Sequence, residues 1–236
     1  MSSFLGECIG TALLIVLGNG VVANVVLDKT KGQNSGWIVI TLGWGMAVFA
    51  GVYAATKFGS MGHINPALTI ALAAFHDFDP ALVLPYIAGQ FTGAILASVL
   101  VWLAYKQHFA VTENKDMKLA VFCNAPAIRS TGHNLVTEFI GTFVLMFAVL
   151  AMTPSRAPFI TLDALPAGLL VLGIGLSLGG PTGYAINPAR DLGPRIAHFL
   201  LPIPGKRDSD WGYSWIPVIG PIAGAMAGAW VFTLLR

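Results

Sequence analysis

Tyr184-Ala185-Ile186-Asn187-Pro188-Ala189-Arg190-Asp191-Leu192 and, earlier in the chain, Gly62-His63-Ile64-Asn65-Pro66-Ala67-Leu68-Thr69-Ile70 are built alike: a short approach, then Asn-Pro-Ala, then an apolar run. Asn is a favoured N-cap and Pro is favoured at the first helical position, so each Asn-Pro-Ala reads as the start of a helix. The helices that follow, Pro66 to Phe75 and Pro188 to Leu201, are apolar. They are also too short to cross a bilayer, which takes about 20 residues.

Longer apolar runs surround them: Phe4 to Leu27, Trp37 to Ala55, Ala81 to Tyr105, Leu135 to Met152, Leu165 to Leu178 and Ile216 to Leu235. Six crossing helices is the economical count. The fifth run is short by itself, and Gly179, Gly180 and the residues before Leu165 extend it. Of the 236 residues 56% are hydrophobic and only 10% charged, where an ordinary soluble domain has about 25% charged residues. With a mean hydropathy of +0.74, such a chain exposes more apolar surface than water tolerates unless membrane lipid covers it. The 13 Lys and Arg nearly balance the 11 Asp and Glu, and no basic run or acidic tail offers a hold for nucleic acid. The first run carries Glu7 and has no basic stretch before it, unlike a cleaved leader. Cys8 in an apolar run and Cys123 in a polar connection make no disulfide framework. His76, His108, His133 and His198 fall in connections or at helix ends, and their spacing forms neither a metal nor a catalytic set. No cofactor is expected.

The repeated Asn-Pro-Ala prompts a search for internal symmetry. Glu7-Cys8-Ile9-Gly10-Thr11 recurs as Glu138-Phe139-Ile140-Gly141-Thr142 at an offset of 131, and Gly89, Gly93 and Ala94 recur at that offset as Gly220, Gly224 and Ala225. Asn65-Pro66-Ala67 returns at an offset of 122. One domain, residues 1–236, thus holds two copies of one unit, approximately 4–105 and 135–236. Each unit has three crossings, an odd number, so the second copy lies upside down in the membrane and the two short helices meet near its centre. A helix start in lipid presents unpaired N–H groups and a positive dipole end, tolerated only against protein or a water-filled path. There the Asn65 and Asn187 amides donate hydrogen bonds to a passing oxygen, and the dipole ends disfavour cations and protons. The carbonyls of Gly62, His63 and Ile64 and of Tyr184, Ala185 and Ile186 offer an acceptor rail. One polar row beside an apolar wall suits water or a small neutral polyhydroxyl solute. Acids inside apolar spans are expensive. The equivalence of Glu7 and Glu138 suggests scaffolding of the re-entrant loops, while proton coupling, the alternative, lacks an evident titrating partner.

From Glu7 nearly to the C-terminus the sequence resembles the aquaporin superfamily. Asn187-Pro188-Ala189-Arg190-Asp191-Leu192-Gly193-Pro194-Arg195 is similar to the aquaglyceroporin form, which carries Asp after the Arg where strict water channels have a small residue. Pro217-Val218 suits the same branch, with Val in place of the commoner Leu or Ile. The resemblance implies an all-α membrane protein of six transmembrane helices and two re-entrant half-helices, a homotetramer with one pore per subunit and cytoplasmic termini in the cell membrane. It implies a selectivity filter of Trp44, Gly175, Tyr184 and Arg190. Gly175 stands where a water-selective filter has His and is expected to leave that side open. Trp44 and Tyr184 are expected to form an apolar corner for an alkyl backbone, and Arg190 to donate to hydroxyls on the other edge while its charge repels cations. A Trp near a span end also reads as an interfacial anchor, and an Arg in a loop as a surface residue. His63 matches the family's structural His, and Asp191 joins Glu7 and Glu138 as structural support. Met61 departs from the pattern, which has Gly after the Ser, and one extra residue lies between Gly51 and Ser60.

The function expected is passive diffusion of glycerol and similar solutes, with water following; undissociated lactic acid, dihydroxyacetone and urea share the size and neutrality. A secondary active transporter would share inverted repeats and broken helices, but would want a carboxylate or His at the midplane, where Asn stands. An intramembrane enzyme would need a nucleophile with a base, or a metal set, and none stands out. The connections after the first, third and fifth spans hold Lys29, Lys31, Lys106, Lys115, Lys118, Arg129, Lys206 and Arg207, against Lys57, Arg156 and Arg236 opposite. The positive-inside rule would put the termini outside. The resemblance puts them in the cytoplasm, and a whole-chain repeat with two motifs outweighs a statistical bias.

Overall fold

A computed structural model describes residues 2–76, 78–152 and 163–236, so Arg156 and most of the proposed extension before Leu165 lie outside the described residues. All regular elements among those residues are helical: α1 (Ser3–Val26), α2 (Trp37–Lys57), α3 (Pro66–Phe75), α4 (Val83–Ala104), α5 (Lys106–Val111), α6 (Lys115–Ala120), α7 (Thr131–Ala151), α8 (Leu165–Leu178), α9 (Pro188–Leu200) and α10 (Ile216–Leu235). Helices α1, α2, α4, α7 and α10 are long and apolar enough to cross a membrane. The described part of α8 has 14 residues and is equally apolar in character. The span boundaries agree with the hydropathy reading to within a few residues, α7 starting earliest against expectation.

The repeat is visible in how the helices touch. A Cβ on Gly93 of α4 would lie 2.2 Å from the Cys8 carbonyl of α1, and one on Gly224 of α10 would lie 2.2 Å from the Phe139 carbonyl of α7. Lipid gives no hydrophobic drive for helices to associate, so close backbone approach through small residues supplies the packing energy instead. The connection between α4 and α7 differs from the polar loop expected. Phe109, Leu119, Val121, Phe122 and Cys123 are all buried, because α5 and α6 fold the segment back onto the bundle. Lys118 donates to the Pro204 carbonyl in the α9–α10 connection.

Two carboxylates hold the re-entrant loops. Glu138 accepts from Thr182 Oγ1 (2.7 Å), Ala185 N (3.0 Å) and Ile186 N (2.8 Å). Glu7 accepts from Ser60 Oγ, His63 N (2.9 Å), Ile64 N (2.7 Å) and Gln90 Nε2 (2.6 Å). Ser60 and Thr182, His63 and Ala185, and Ile64 and Ile186 share the Asn-Pro-Ala offset, so each half builds the same clamp. Met61 does not break it: its N–H bonds Tyr86 Oη at 3.0 Å and its side chain is exposed.

A third acid, Asp191, forms a buried pair with Arg195 one turn later (2.9 Å), both side chains fully buried. Asp191 also accepts from Asn124 N (2.7 Å), and Arg195 reaches the carbonyls of Asn124, Ser209 and Asp210. The pair therefore ties the α4–α7 and α9–α10 connections to α9. At the far end of that helix Lys206 donates to the carbonyls of His198, Phe199 and Leu201, a cation on the negative helix end.

Two outcomes are expected. Gly224→Ala places a methyl against backbone that cannot give and lowers the detergent-solubilised melting temperature, at a cost of about 1–3 kcal/mol; Gly132→Ala, where a Cβ meets nothing, leaves it unchanged. Glu138→Gln turns an NH2 toward a backbone donor, costs about 1–3 kcal/mol, and lowers solute flux per molecule inserted in vesicles.

Candidate functional site

The approaches to α3 and α9 meet at the centre of the bundle. Asn65 Oδ1 caps its own helix at Ala67 N (3.0 Å), and Asn187 Oδ1 caps α9 at Ala189 N (3.0 Å) and Arg190 N (3.2 Å). Their amide groups cross over: Asn65 Nδ2 donates to the Ile186 carbonyl and Asn187 Nδ2 to the Ile64 carbonyl, each at 2.8 Å. Each NH2 keeps a second hydrogen, and each carbonyl a second lone pair, for another partner. Pro66, Pro188, Ala67 and Ala189 complete the two helix starts and are buried.

The approach backbone is bent to make this possible. Ile64, Tyr184 and Ile186 have φ of 42°, 42° and 43°, uncommon for any side chain and more so for β-branched ones. Each such residue costs about 1–3 kcal/mol unless its surroundings hold it. The Glu7 and Glu138 carboxylates hold it by taking the Ile64 and Ile186 N–H groups away from the bundle centre. Gly62 and Gly183, with φ of 75° and 80°, complete the two turns.

A cavity of about 280 Å³ runs along these loops. Gly62, His63, Ile64 and Asn65, then Tyr184, Ala185, Ile186, Asn187 and Arg190, line it together with the apolar Leu14, Val48, Leu68, Leu145, Val149 and Val171. The expected rail and the two Asn residues thus share one cavity. His63 Nδ1 lies 3.1 Å from Thr69 Oγ1, and its ring packs against Phe78 and Tyr86.

Trp44 is only 2% exposed. Its ring fills the space beside Gly18, where a Cβ would come within 2.2 Å of it, so it is no interfacial anchor in this bundle. Arg190 is buried as well, not a surface residue. Its guanidinium carbon sits 4.0 Å from the centre of the Trp44 ring, a cation–π stack. The expected separation into an apolar corner and an opposite charged edge is therefore replaced by direct contact between Trp44 and Arg190. Among the described residues no protein acceptor takes the guanidinium N–H groups, which border the cavity.

Gly175 differs from expectation too. A Cβ there would lie 2.8 Å from Tyr184 Cζ and 3.0 Å from both Tyr184 Oη and Thr41 Cγ2. The room left by the missing side chain is occupied by the Tyr184 ring and is not open to a solute. Gly175 is a recess that seats Tyr184, and Tyr184, not Gly175, borders the cavity.

Sequence reasoning missed Ser60 and Thr182, although their shared offset was a usable signal. It also missed Gln90, Asn124 and Arg195, which carry no repeat counterpart, and Trp37, whose ring meets Tyr184 edge-on at 5.8 Å. Among the described residues no three His, Cys, Asp or Glu side chains converge as metal ligands would.

The comparisons agree with this architecture. Residues 1–232 match the family described as MIP, major intrinsic protein. The chain is 57% identical over 235 residues to a "Probable glycerol uptake facilitator protein" of Thermotoga maritima, covering 100% of both. It is 52% identical over 235 residues to a "Glycerol uptake facilitator protein" of Streptococcus pneumoniae, covering 99% of both. Among solved structures, the aquaglyceroporin from Plasmodium falciparum superposes with a TM-score of 0.85 at 29% identity, covering 98% of this chain and 94% of that one. Crossed half-helices, paired glutamate clamps and whole-length similarity all lead to one assignment: the chain belongs to the major intrinsic protein family of membrane channels.

Proposed function

We propose that this protein is a passive channel for glycerol and other small neutral solutes, with water following. The observation that carries the reading is the mixed lining of one cavity: residues of both re-entrant loops with their hydrogen-bonding groups, together with Leu and Val side chains. A polyol is mixed in the same way, with hydroxyls and C–H groups on one small molecule. As it moves, its hydroxyls exchange water for the spare amide hydrogens of Asn65 and Asn187, the loop carbonyls and the Arg190 N–H groups, so little desolvation cost accumulates. The relatives bearing glycerol facilitator names support the same solute.

In this reading Trp44, Tyr184 and Arg190 form the selectivity filter, with Gly175 setting where Tyr184 stands. The stacked Arg190 and the N-terminal ends of α3 and α9 present positive charge to the path, which excludes cations and protons. The unit is a single channel domain over 1–236 with inverted repeats at about 4–105 and 135–236. It works as a homotetramer in the cell membrane, with both termini cytoplasmic. Undissociated lactic acid, dihydroxyacetone and urea are further cargo of fitting size.

In proteoliposomes followed by stopped-flow light scattering, glycerol entry is expected to be fast without any ion gradient; entry no faster than in empty liposomes refutes the channel. Gly175→His evicts the Tyr184 ring from its recess toward the path, so glycerol flux falls more than water flux. Equal losses would show that Tyr184 does not limit passage.

A further inference from the structure

We infer that Trp37 is a specificity-determining residue, a positioning residue that fixes the Tyr184 ring and through it the width of the filter; the inference rests on the channel reading above. Tyr184 has no polar bond to hold it. Its hydroxyl is buried with no hydrogen-bond partner among the described residues, so packing alone decides where the ring stands.

Trp37, Gly175, Gly179 and Thr41 cluster on that ring. Gly175 and Gly179 of the α8 end lie behind the ring, where a Cβ on Gly179 would come within 2.4 Å of Tyr184 Cδ1. Thr41 turns its methyl toward Gly175 because its hydroxyl is spent on the Ile38 carbonyl at 3.0 Å. Trp37 packs there as well, its ring nearly perpendicular to that of Tyr184 at 83° and 5.8 Å between centres. Two of these neighbours are glycine backbone, and glycine confines a ring without gripping it.

Trp37 is itself anchored across the bundle. Its Nε1–H donates to the Gly175 carbonyl at 3.0 Å, so one side chain of α2 both bonds the glycine behind Tyr184 and presses the edge of the ring. Trp37 is the first residue of α2, following Gly36, and remains partly exposed. A Trp in that position is ordinarily explained as an interfacial anchor. An anchor, however, needs no hydrogen bond to a carbonyl of another helix and no contact with a filter ring. With the prop removed, the side of the ring that Trp37 covers is left open, and the ring can turn away from the path. The solutes that gain are neutral polyols wider or longer than glycerol.

The test compares permeability to glycerol and to the five-carbon polyol ribitol in proteoliposomes of wild-type protein, Trp37→Ala, Trp37→Phe, Tyr184→Ala and Trp37→Ala/Tyr184→Ala, each normalised to inserted protein. Trp37→Ala is expected to raise the ribitol-to-glycerol ratio several-fold, and Trp37→Phe, which keeps an aromatic edge, to stay nearer wild type. In the Tyr184→Ala background, Trp37→Ala adds nothing further to the ratio. If Trp37→Ala does not insert, Trp37→Leu takes its place with the same expectation. A ratio unchanged from wild type, or a change that persists undiminished without Tyr184, overturns the inference. Wild-type protein that passes no polyol overturns the channel reading instead, which keeps the two failures distinct.

Discussion

A backbone N–H turned away from water inside a bilayer costs several kcal/mol if nothing accepts it. Everything at the centre of this protein depends on how that cost is met. The glutamates Glu7 and Glu138 take the N–H groups of His63, Ile64, Ala185 and Ile186 on the outer side of the two loops. With those donors satisfied, the loops can hold their unfavourable dihedral angles, and the Ile64 and Ile186 carbonyls take the crossed Asn amides. Both half-helices then start where the loops end, each capped by its own Asn. Charge in the apolar spans is thus fixed in place by donors on every side and serves geometry, consistent with a scaffold and not with a proton carrier.

The cluster around Trp44 and Tyr184 follows a different logic, that of volume. Trp44 occupies room that Gly18 leaves, and Tyr184 occupies room that Gly175 and Gly179 leave. Each aromatic ring is seated in the absence of another side chain. Aperture is therefore a property of paired positions, and a substitution at a glycine is felt through the ring that leans on it. The one cation of that cluster is placed by the same economy, since Arg190 rests on the Trp44 ring and lines the cavity.

Most of the fold could be read from the chain, because cap chemistry, span length and an internal repeat are local or periodic signals. Asn65 and Asn187 mark the half-helices, and Glu7, Gly93, Glu138 and Gly224 mark the helix contacts through their offset. What could not be read is what fills a gap. Gly175 announces missing volume, but which neighbour takes that volume depends on the angle at which the loop returns. The segment between α4 and α7 has no counterpart in the repeat, so its buried face and the role of Asn124 left no periodic trace. The charge bias carries little weight for a related reason. Lys118 and Lys206 are spent on backbone carbonyls, and Arg129 and Arg207 on Asp210 and Asp116. Cations recruited to close helix ends and connections say little about which side of a membrane they face.

The crossed amides of Asn65 and Asn187 also bear on how the chain is made. Each bond joins residues more than a hundred positions apart, and such distant pairings form late. While the first half emerges from the ribosome, the Asn65 amide and the Ile64 carbonyl lack the partners they have in the finished fold. The first half-helix is clamped by Glu7 within its own half but lacks its central partner until the second arrives. Insertion of the first three crossings and completion of the pore are thus separate events in biogenesis, and the second waits for synthesis to pass residue 187.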